Sequence, residues 1–546
     1  MSHVDVIVVG SGIAGLTSAA YLCKERLNVL LLEKEAEVGG LLGSFTVDGH
    51  VLDKGARSII DSGIVTPMLK QLGLHIDFIE NPIRITIGKE TLVLNDKSDI
   101  ARYGDMLKRL YPQNKAEIDA IIADIYYVMK AMDVLYGIEN PMFLPKPYNL
   151  KYIIQTLLPW FFRFSLNMGK AMKLSDPINN FLRTKTRNES LIQIITQHFF
   201  SMTPTFFALS YFTLYLQYHY PKGSTQTLVD ALEKLITSTG GEIKTSSEVT
   251  DIDIEKKMLI TKAGDVYTYD QMIWAADTNG LFRRIDIDKI SSMALRSKVK
   301  QAKMKIEGKK GADSVLTLYI LTDLPPFHFQ EISGPHCFYT PDKEGLASIS
   351  LDELRENGIF TNDPGELYAW ITRFVRFNTL EISIPTLRDP SLSPAGQTGL
   401  IVSLLFDYGL IKHIEQIGLY EDFKKIMTDL LINELTFDYI EALDKHVLKT
   451  IISTPLSIER RTFNTEGSLT GWSFGNQLFP AEYRMINVKK AVMTDIDSIK
   501  QAGQWTFNPA GVPVSILTGK LAADAVIKDL KKRNGNKKGG TAFGSN

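Results

Sequence analysis

Cysteine is almost missing from this chain: 546 residues carry two, Cys23 and Cys337. Two thiols so far apart exclude a disulfide framework and a cysteine-ligated metal cluster, and they suit a reducing compartment. An excess of one charge is missing too. Lys plus Arg is 61 and Asp plus Glu is 62, so nothing argues for nucleic acid as a partner. No run of 18 or more uncharged apolar residues occurs, which predicts no membrane-spanning helix. Met1 leads directly into a strand pattern with no secretory leader, so the expectation is an unsecreted protein on the cytoplasmic side. No His/Cys cluster has metal-ligand spacing and no G-x-S-x-G elbow is present, so no metal and no serine nucleophile are expected. The rest of the composition is ordinary, 44% hydrophobic and 23% charged, in a chain long enough for two or three domains.

The informative stretch is the first forty residues. Val6 to Val9 is apolar and β-branched, the pattern of a buried parallel strand. Gly10, Gly12 and Gly15 follow at G-x-G-x-x-G spacing within Gly10-Ser11-Gly12-Ile13-Ala14-Gly15. Leu16 to Arg26 has the spacing of a helix and Val29 to Leu32 that of a second strand. Glu33 ends that strand, eighteen residues after Gly15. This order is a dinucleotide-binding βαβ unit. Gly10 permits a tight turn, Gly12 lets backbone approach a pyrophosphate, and Gly15 lets helix pack close to strand. The diphosphate belongs at the helix N-terminus, where free N–H groups and the helix dipole favour anions. Glu33 is placed to accept hydrogen bonds from ribose hydroxyls.

Beyond Glu33 come Lys34, then Gly39-Gly40-Leu41-Leu42-Gly43-Ser44, then Asp53-Lys54-Gly55. This run resembles the FAD-binding N-terminus of the amine oxidase and phytoene desaturase superfamily. The resemblance implies that Lys34, Gly40, Leu41, Leu42, Gly55, Ala56 and Arg57 lie along the cofactor. Residues 220–280 resemble that superfamily's second FAD-binding segment, which puts the Val249 backbone near adenine and Ala275 at the end of a cofactor-side strand. Residues 501–515, with Gly503, Gln504, Gly511, Val512 and Pro513, resemble the C-terminal flavin motif of the phytoene desaturase group. Here Gln504 stands where an acid often binds the ribityl chain, and Asn508-Pro509-Ala510 replaces a run of glycines. Ser453-Thr454-Pro455-Leu456 and Gly467 to Ser473 resemble a passage of carotenoid isomerases and retinol saturases.

The fold class expected is α/β: a discontinuous, Rossmann-like FAD-binding domain with an inserted mixed α+β substrate domain. The FAD-binding parts are residues 1–75, 220–285 and 490–530. The substrate domain is expected at 76–219 and 286–489, and a disordered basic tail at 531–546. Ile118, Ile121, Ile122, Ile125, Met129 and Met132 share one helical face as core. Residues 196–220 are dense in aromatics, suited to plain core or to a long apolar tunnel. Residues 141–173 mix aromatics, leucines and scattered lysines, including Lys146, Lys151, Arg163, Lys170 and Lys173. Either an in-plane membrane segment or a buried helix pair fits that pattern, with Pro159 breaking the helix. In the membrane reading, Trp160, Phe161, Phe162 and Phe164 insert.

By resemblance the chain is expected to be an FAD-dependent oxidoreductase that desaturates, saturates or isomerises a long apolar polyene, carotenoid- or retinoid-like. Its partners are then that polyene and a membrane surface. A flavin amine oxidase is the alternative within the superfamily, and a non-catalytic lipid-binding protein on the same fold is the alternative outside it. No acid/base residue stands out; Glu459 and Glu482 are weak candidates.

Overall fold

The computed structural model describes residues 2–135, 138, 140–144, 149–171 and 173–540. Lys146 of the aromatic stretch and residues 541–546 of the expected tail lie outside them. Two seven-stranded sheets carry the molecule. In the first, Ser2–Val9 lies between Val29–Leu32 and Val266–Trp274 and runs parallel to both. Val6, Ile7 and Val8 are fully buried there, as a strand covered on both faces requires. Glu242–Lys244 extends the sheet in parallel past Val29–Leu32, and Ile499–Gln501 runs parallel to Val266–Trp274. Met258–Thr261 and Val249–Asp253 complete it as antiparallel strands. Three distant stretches of chain thus build one sheet. The α/β class expected from the sequence is borne out.

Small residues set the helix packing on this sheet. The helix Ile13–Lys24 crosses the C-terminal helix Val512–Gly540 closely. A Cβ on Gly15 would lie 1.9 Å from the Gly10 carbonyl oxygen, and one on Gly519 would lie 2.5 Å from that of Ala14. The Ser18 hydroxyl donates to Gly519 O at 3.0 Å across the crossing. The C-terminal helix runs past the expected limit at 530. Lys531 and Arg533 are good helix formers and tie it to the body through Glu25 (2.9 Å) and Asp270 (2.5 Å).

The second sheet runs, edge to edge, Val447–Ser453, Ser314–Thr322, Thr398–Phe406, Leu380–Ser383, His336–Thr340, Ile83–Ile87 and Glu90–Leu94. Every neighbouring pair is antiparallel except His336–Thr340 with Ile83–Ile87. Helices Pro364–Phe377, Tyr408–Gln416 and Tyr420–Asp438 share its apolar core. A second helical cluster contains Lys115–Leu135 and Thr205–Tyr215. Ile118, Ile121, Ile125, Met129 and Met132 are buried in it, while Ile122 is half-buried.

A short three-stranded sheet, Ile59–Ile60, Tyr218–Pro221 and Phe78–Glu80, sits at the join. Asp53 is fully buried beside it. Its carboxylate accepts from Ser44 Oγ (2.9 Å), Tyr220 OH (2.8 Å) and Thr225 Oγ1 (2.7 Å). The Tyr319 hydroxyl of the second sheet donates to the Asp53 carbonyl at 3.3 Å.

The crossing at Gly519 holds the C-terminal glycines against the first helix. Gly519→Val is expected to destabilise the protein by about 1–3 kcal/mol, the usual cost of overpacking. Denaturant unfolding checks this, and an unchanged midpoint would mean the helices separate at no cost.

Candidate active site

A cleft of about 650 Å³ runs along the edge of the first sheet. One end is made by the strand–turn–helix at the chain start. Gly10, Gly12, Ile13 and Ala14 line it. Gly12 occupies the N-cap of the helix Ile13–Lys24, with no side-chain cap and no acid in the first turn. Its first N–H groups therefore face the cleft without protein partners from the cap. A Cβ on Gly12 would meet nothing within 4 Å, so that position opens into space.

Gly39 and Gly40 follow in left-handed conformations, φ 112° and 57°, which a chain hugging the first loop requires. Gly39 N donates to Ser11 O at 3.0 Å. Gly40, Leu41 and Leu42 then form one wall with Gly55 and Ala56. At the opposite end the helix Val512–Gly540 begins, again with no acid in its first turn. Gly503, Gln504, Gly511 and Val512 line the cleft there.

Charge in the cleft follows from these elements. Glu33 accepts from Ser11 N (2.8 Å) and Ser11 Oγ (2.6 Å) through one oxygen and from Glu35 N (2.9 Å) through the other. Its carboxylate is thereby fixed at the strand end. The basic side chains nearby are already paired: Lys34 with Glu35, Lys54 with Glu37 at 2.7 Å, Arg284 with Glu248 at 3.5 Å. A diphosphate is therefore met mainly by two uncapped helix starts and small residues, and a ribose by Glu33. The residues fit a dinucleotide.

Of the residues singled out in the sequence, Gly10, Gly12, Ile13, Ala14, Glu33, Lys34, Gly40, Leu41, Leu42, Gly55, Ala56, Val249, Ala275, Gly503, Gln504, Gly511 and Val512 line this cleft. Ser11, Gly15, Arg57 and Pro513 do not. Ser11 is buried and orients Glu33, and Gly15 packs against Gly10 behind the wall. Val249 is in the wall, but its carbonyl already accepts from Arg284 Nε. Arg57 turns away because a buried guanidinium needs a counter-charge, and Glu381 supplies it at 2.6 Å.

Sequence reasoning missed Arg284, Phe463 and Asp277. Arg284 reaches over Trp274 and Phe463, at 5.7 and 5.9 Å from the ring centroids. Asp277 caps the helix Thr278–Arg284 and accepts from Thr465 N at 2.6 Å. Burial raises the Asp277 carboxyl above its ordinary range, although hydrogen bonds from Thr465 oppose the shift. The Asp at the strand end was a signal in sequence; the packing of residues 461–470 onto it was not.

A smaller chamber of about 140 Å³ adjoins the cleft and shares Phe200, Tyr211 and Leu469 with it. His198, Phe199, Tyr215, Tyr218 and Phe338 form its walls, and Glu381 lies in it. So part of the aromatic stretch 196–220 lines a cavity, whereas Phe212 and Tyr220 are core. Burial pushes Glu381 up, but Arg57, the His336 hydrogen bond and Arg388 outweigh it and hold the carboxyl at about 2. His336 Nε2 is 2.9 Å from Glu381 Oε1. An ionised carboxylate only accepts, so that nitrogen carries the proton. The other ring nitrogen faces Asn81 Nδ2, whose amide oxygen is fixed by Arg388. Glu459 bonds Tyr408 OH at 2.7 Å and Glu482 pairs with Arg484; neither lines the cleft or the chamber.

Comparison with known proteins places this geometry. The family model described as flavin containing amine oxidoreductase matches residues 13–527. The chain belongs to that family. It is an FAD-dependent oxidoreductase, which sets aside the non-catalytic alternative. A curated relative, a 4,4'-diapophytoene desaturase (4,4'-diaponeurosporene-forming) of Staphylococcus aureus strain MRSA252, is 21% identical, over 96% of this chain and 99% of its own. Among solved structures, an oxidoreductase from Methanosarcina mazei superposes with TM-score 0.59 at 13% identity, covering 94% and 99% of the two chains. Wild-type putrescine oxidase bound to putrescine gives 0.57 at 14%, covering 96% and 99%. At such identities the structures show a shared fold.

Gly12→Asp would push a carboxylate into the space beside the first helix start. The expected outcome is a folded protein that purifies without flavin; full flavin content, measured by absorbance, would misplace the diphosphate. Glu33→Ala should weaken FAD retention by roughly 1–3 kcal/mol, the cost of unpaired buried partners, read as a flavin dissociation constant.

Proposed function

We propose that this FAD-dependent oxidoreductase acts on a long apolar polyene, carotenoid- or retinoid-like, by desaturation, saturation or isomerisation. The observation that carries the reading is the aromatic chamber opening on to the cofactor cleft. Its walls of Phe199, Phe200, Tyr211, Tyr215, Tyr218 and Phe338 suit an apolar, conjugated chain. The curated relatives matched across nearly the full length are named as diapophytoene desaturases, which supports the same class.

Bound FAD supplies two-electron hydride chemistry. The chain's own part is to orient and to keep water away. The rings of the chamber align the substrate and dehydrate it. The uncapped start of the C-terminal helix, at Gly511 and Val512, places backbone dipoles where negative charge is favoured. A second reading, oxidation of an amine, draws on one observation: the ionised Glu381 in the chamber, a group that a pure hydrocarbon does not need. Lipid extracted from the purified protein, together with product analysis on acyclic polyenes and on alkylamines, tests the choice. Polyene products support the first reading, and amine turnover alone would replace it.

The polyene must reach the enzyme from a bilayer or a carrier, and we place a bilayer surface at residues 150–171. No helix among the described residues is long and apolar enough to cross a membrane. Leu150, Ile154, Leu158, Phe161, Phe162 and Leu166 are exposed, between 48% and 70%, and recur at helical spacing. Lys151 and Arg163 are exposed beside them. Trp160 and Phe164, expected to insert, instead stack on each other at 4.9 Å, and Trp160 Nε1 donates to Val134 O. The helix is not broken at Pro159, which sits in the first turn of Leu158–Ala171, where a missing N–H costs nothing. Replacing Phe161, Phe162 and Leu166 by Ser should abolish co-sedimentation with anionic liposomes while moving stability by only about 0.5 kcal/mol per site. A parent protein that does not bind liposomes would contradict the docking.

A further inference from the structure

One ionised group in the chamber is left unused by a hydrocarbon substrate. Glu381 sits on the second sheet and keeps 31% of its side chain accessible, although protein surrounds it, because it faces the chamber. Its positive partner does not share that space. Arg57 is 5% exposed, lies outside the lining, and is held behind the carboxylate by Ser403 Oγ at 2.5 Å and Thr317 Oγ1 at 3.4 Å. Among the described residues the lining includes no lysine or arginine. His336 donates to Glu381 and stays neutral, since burial lowers its pKa despite the carboxylate. The chamber therefore presents a negative charge whose counter-charge is recessed.

The rings add to this sign. Aromatic faces carry the negative end of the ring quadrupole, and cations bind over them most strongly where water is excluded. Tyr215, Tyr218, Phe338 and His198 enclose the carboxylate; the centroids of Tyr215 and Phe338 are 5.6 Å apart and those of His198 and Phe338 5.3 Å. Burial holds the His198 imidazole down at about 4, and the one opposing influence is Glu381. The field of this carboxylate thus reaches across the chamber.

We propose that Glu381 and these rings form a cation subsite, which binds a positively charged centre flanked by an apolar chain. The proposal rests on the reading of the chamber as the substrate space and names a residue that selects within it. The charge has two sources compatible with that chemistry: the ammonium of an amine, or an electron-poor carbon of a polyene.

The test compares two probes on the holoenzyme, dodecyltrimethylammonium and the matching hydrocarbon with a tert-butyl group in place of trimethylammonium. Equilibrium binding is measured below micelle formation. The subsite predicts at least tenfold tighter binding of the cation. E381Q should remove that preference and leave hydrocarbon affinity within about twofold, and E381D should restore part of it. Equal binding of both probes by the parent protein overturns the subsite, as does a preference that survives in E381Q. The parent ratio decides alone if E381Q does not fold. Binding of the cation without the hydrocarbon would instead overturn the polyene reading and leave the subsite standing. Turnover of alkylamines then assigns the charge to nitrogen, and turnover of polyenes assigns it to carbon.

Discussion

The buried carboxylate of Asp53 is the interaction on which the rest depends. A charge removed from water is tolerated only when hydrogen bonds replace its hydration. Asp53 obtains them from Ser44, Tyr220 and Thr225, three residues from separate parts of the chain. That requirement fastens the hairpin Ser44–Asp53, the strand Tyr218–Pro221 and the start of the helix Gln226–Ser238 to one point. The two residues after Lys54, Gly55 and Ala56, then fall in the cofactor wall, and Arg57 falls against Glu381. Five consecutive residues therefore connect the buried hub, the cleft and the chamber.

The two cavities differ in how they handle charge. In the cleft the cationic side chains are spent on neighbouring carboxylates, and anion binding is left to helix starts and to loops without Cβ atoms. Those groups are fixed by backbone geometry and do not need to reorganise. In the chamber the polar groups are recessed and the walls are aromatic. One family of folds thus supplies a polar, rigid place for a dinucleotide next to a dry place for a substrate, and the second place is where members of the family differ.

How much of this was legible in the sequence depends on how local the cause is. The turn at Gly10 to Gly15, the strand ending at Glu33 and the paired glycines at 39 and 40 act through their own backbone, so spacing sufficed to find them. Glu381 was invisible, because its role comes from Arg57 and His336, 324 and 45 residues away. Arg57 was noticed for its position after Asp53-Lys54-Gly55, yet its direction is set by the second sheet. Trp160 and Phe164 show the same limit: composition marked an apolar segment, but only packing tells which rings are turned inward. The C-terminal basic residues looked like a tail because Glu25 and Asp270, their partners, are hundreds of positions upstream.

The central claim is that the cleft and the chamber are one working space, in which a polyene meets the bound flavin. Anaerobic mixing of the holoenzyme with an acyclic isoprenoid polyene tests it most directly, followed by visible flavin absorbance in both redox states. The account predicts that the polyene changes the flavin spectrum and that its own conjugation changes in step. Flavin that responds to alkylamines while remaining indifferent to every polyene would contradict it.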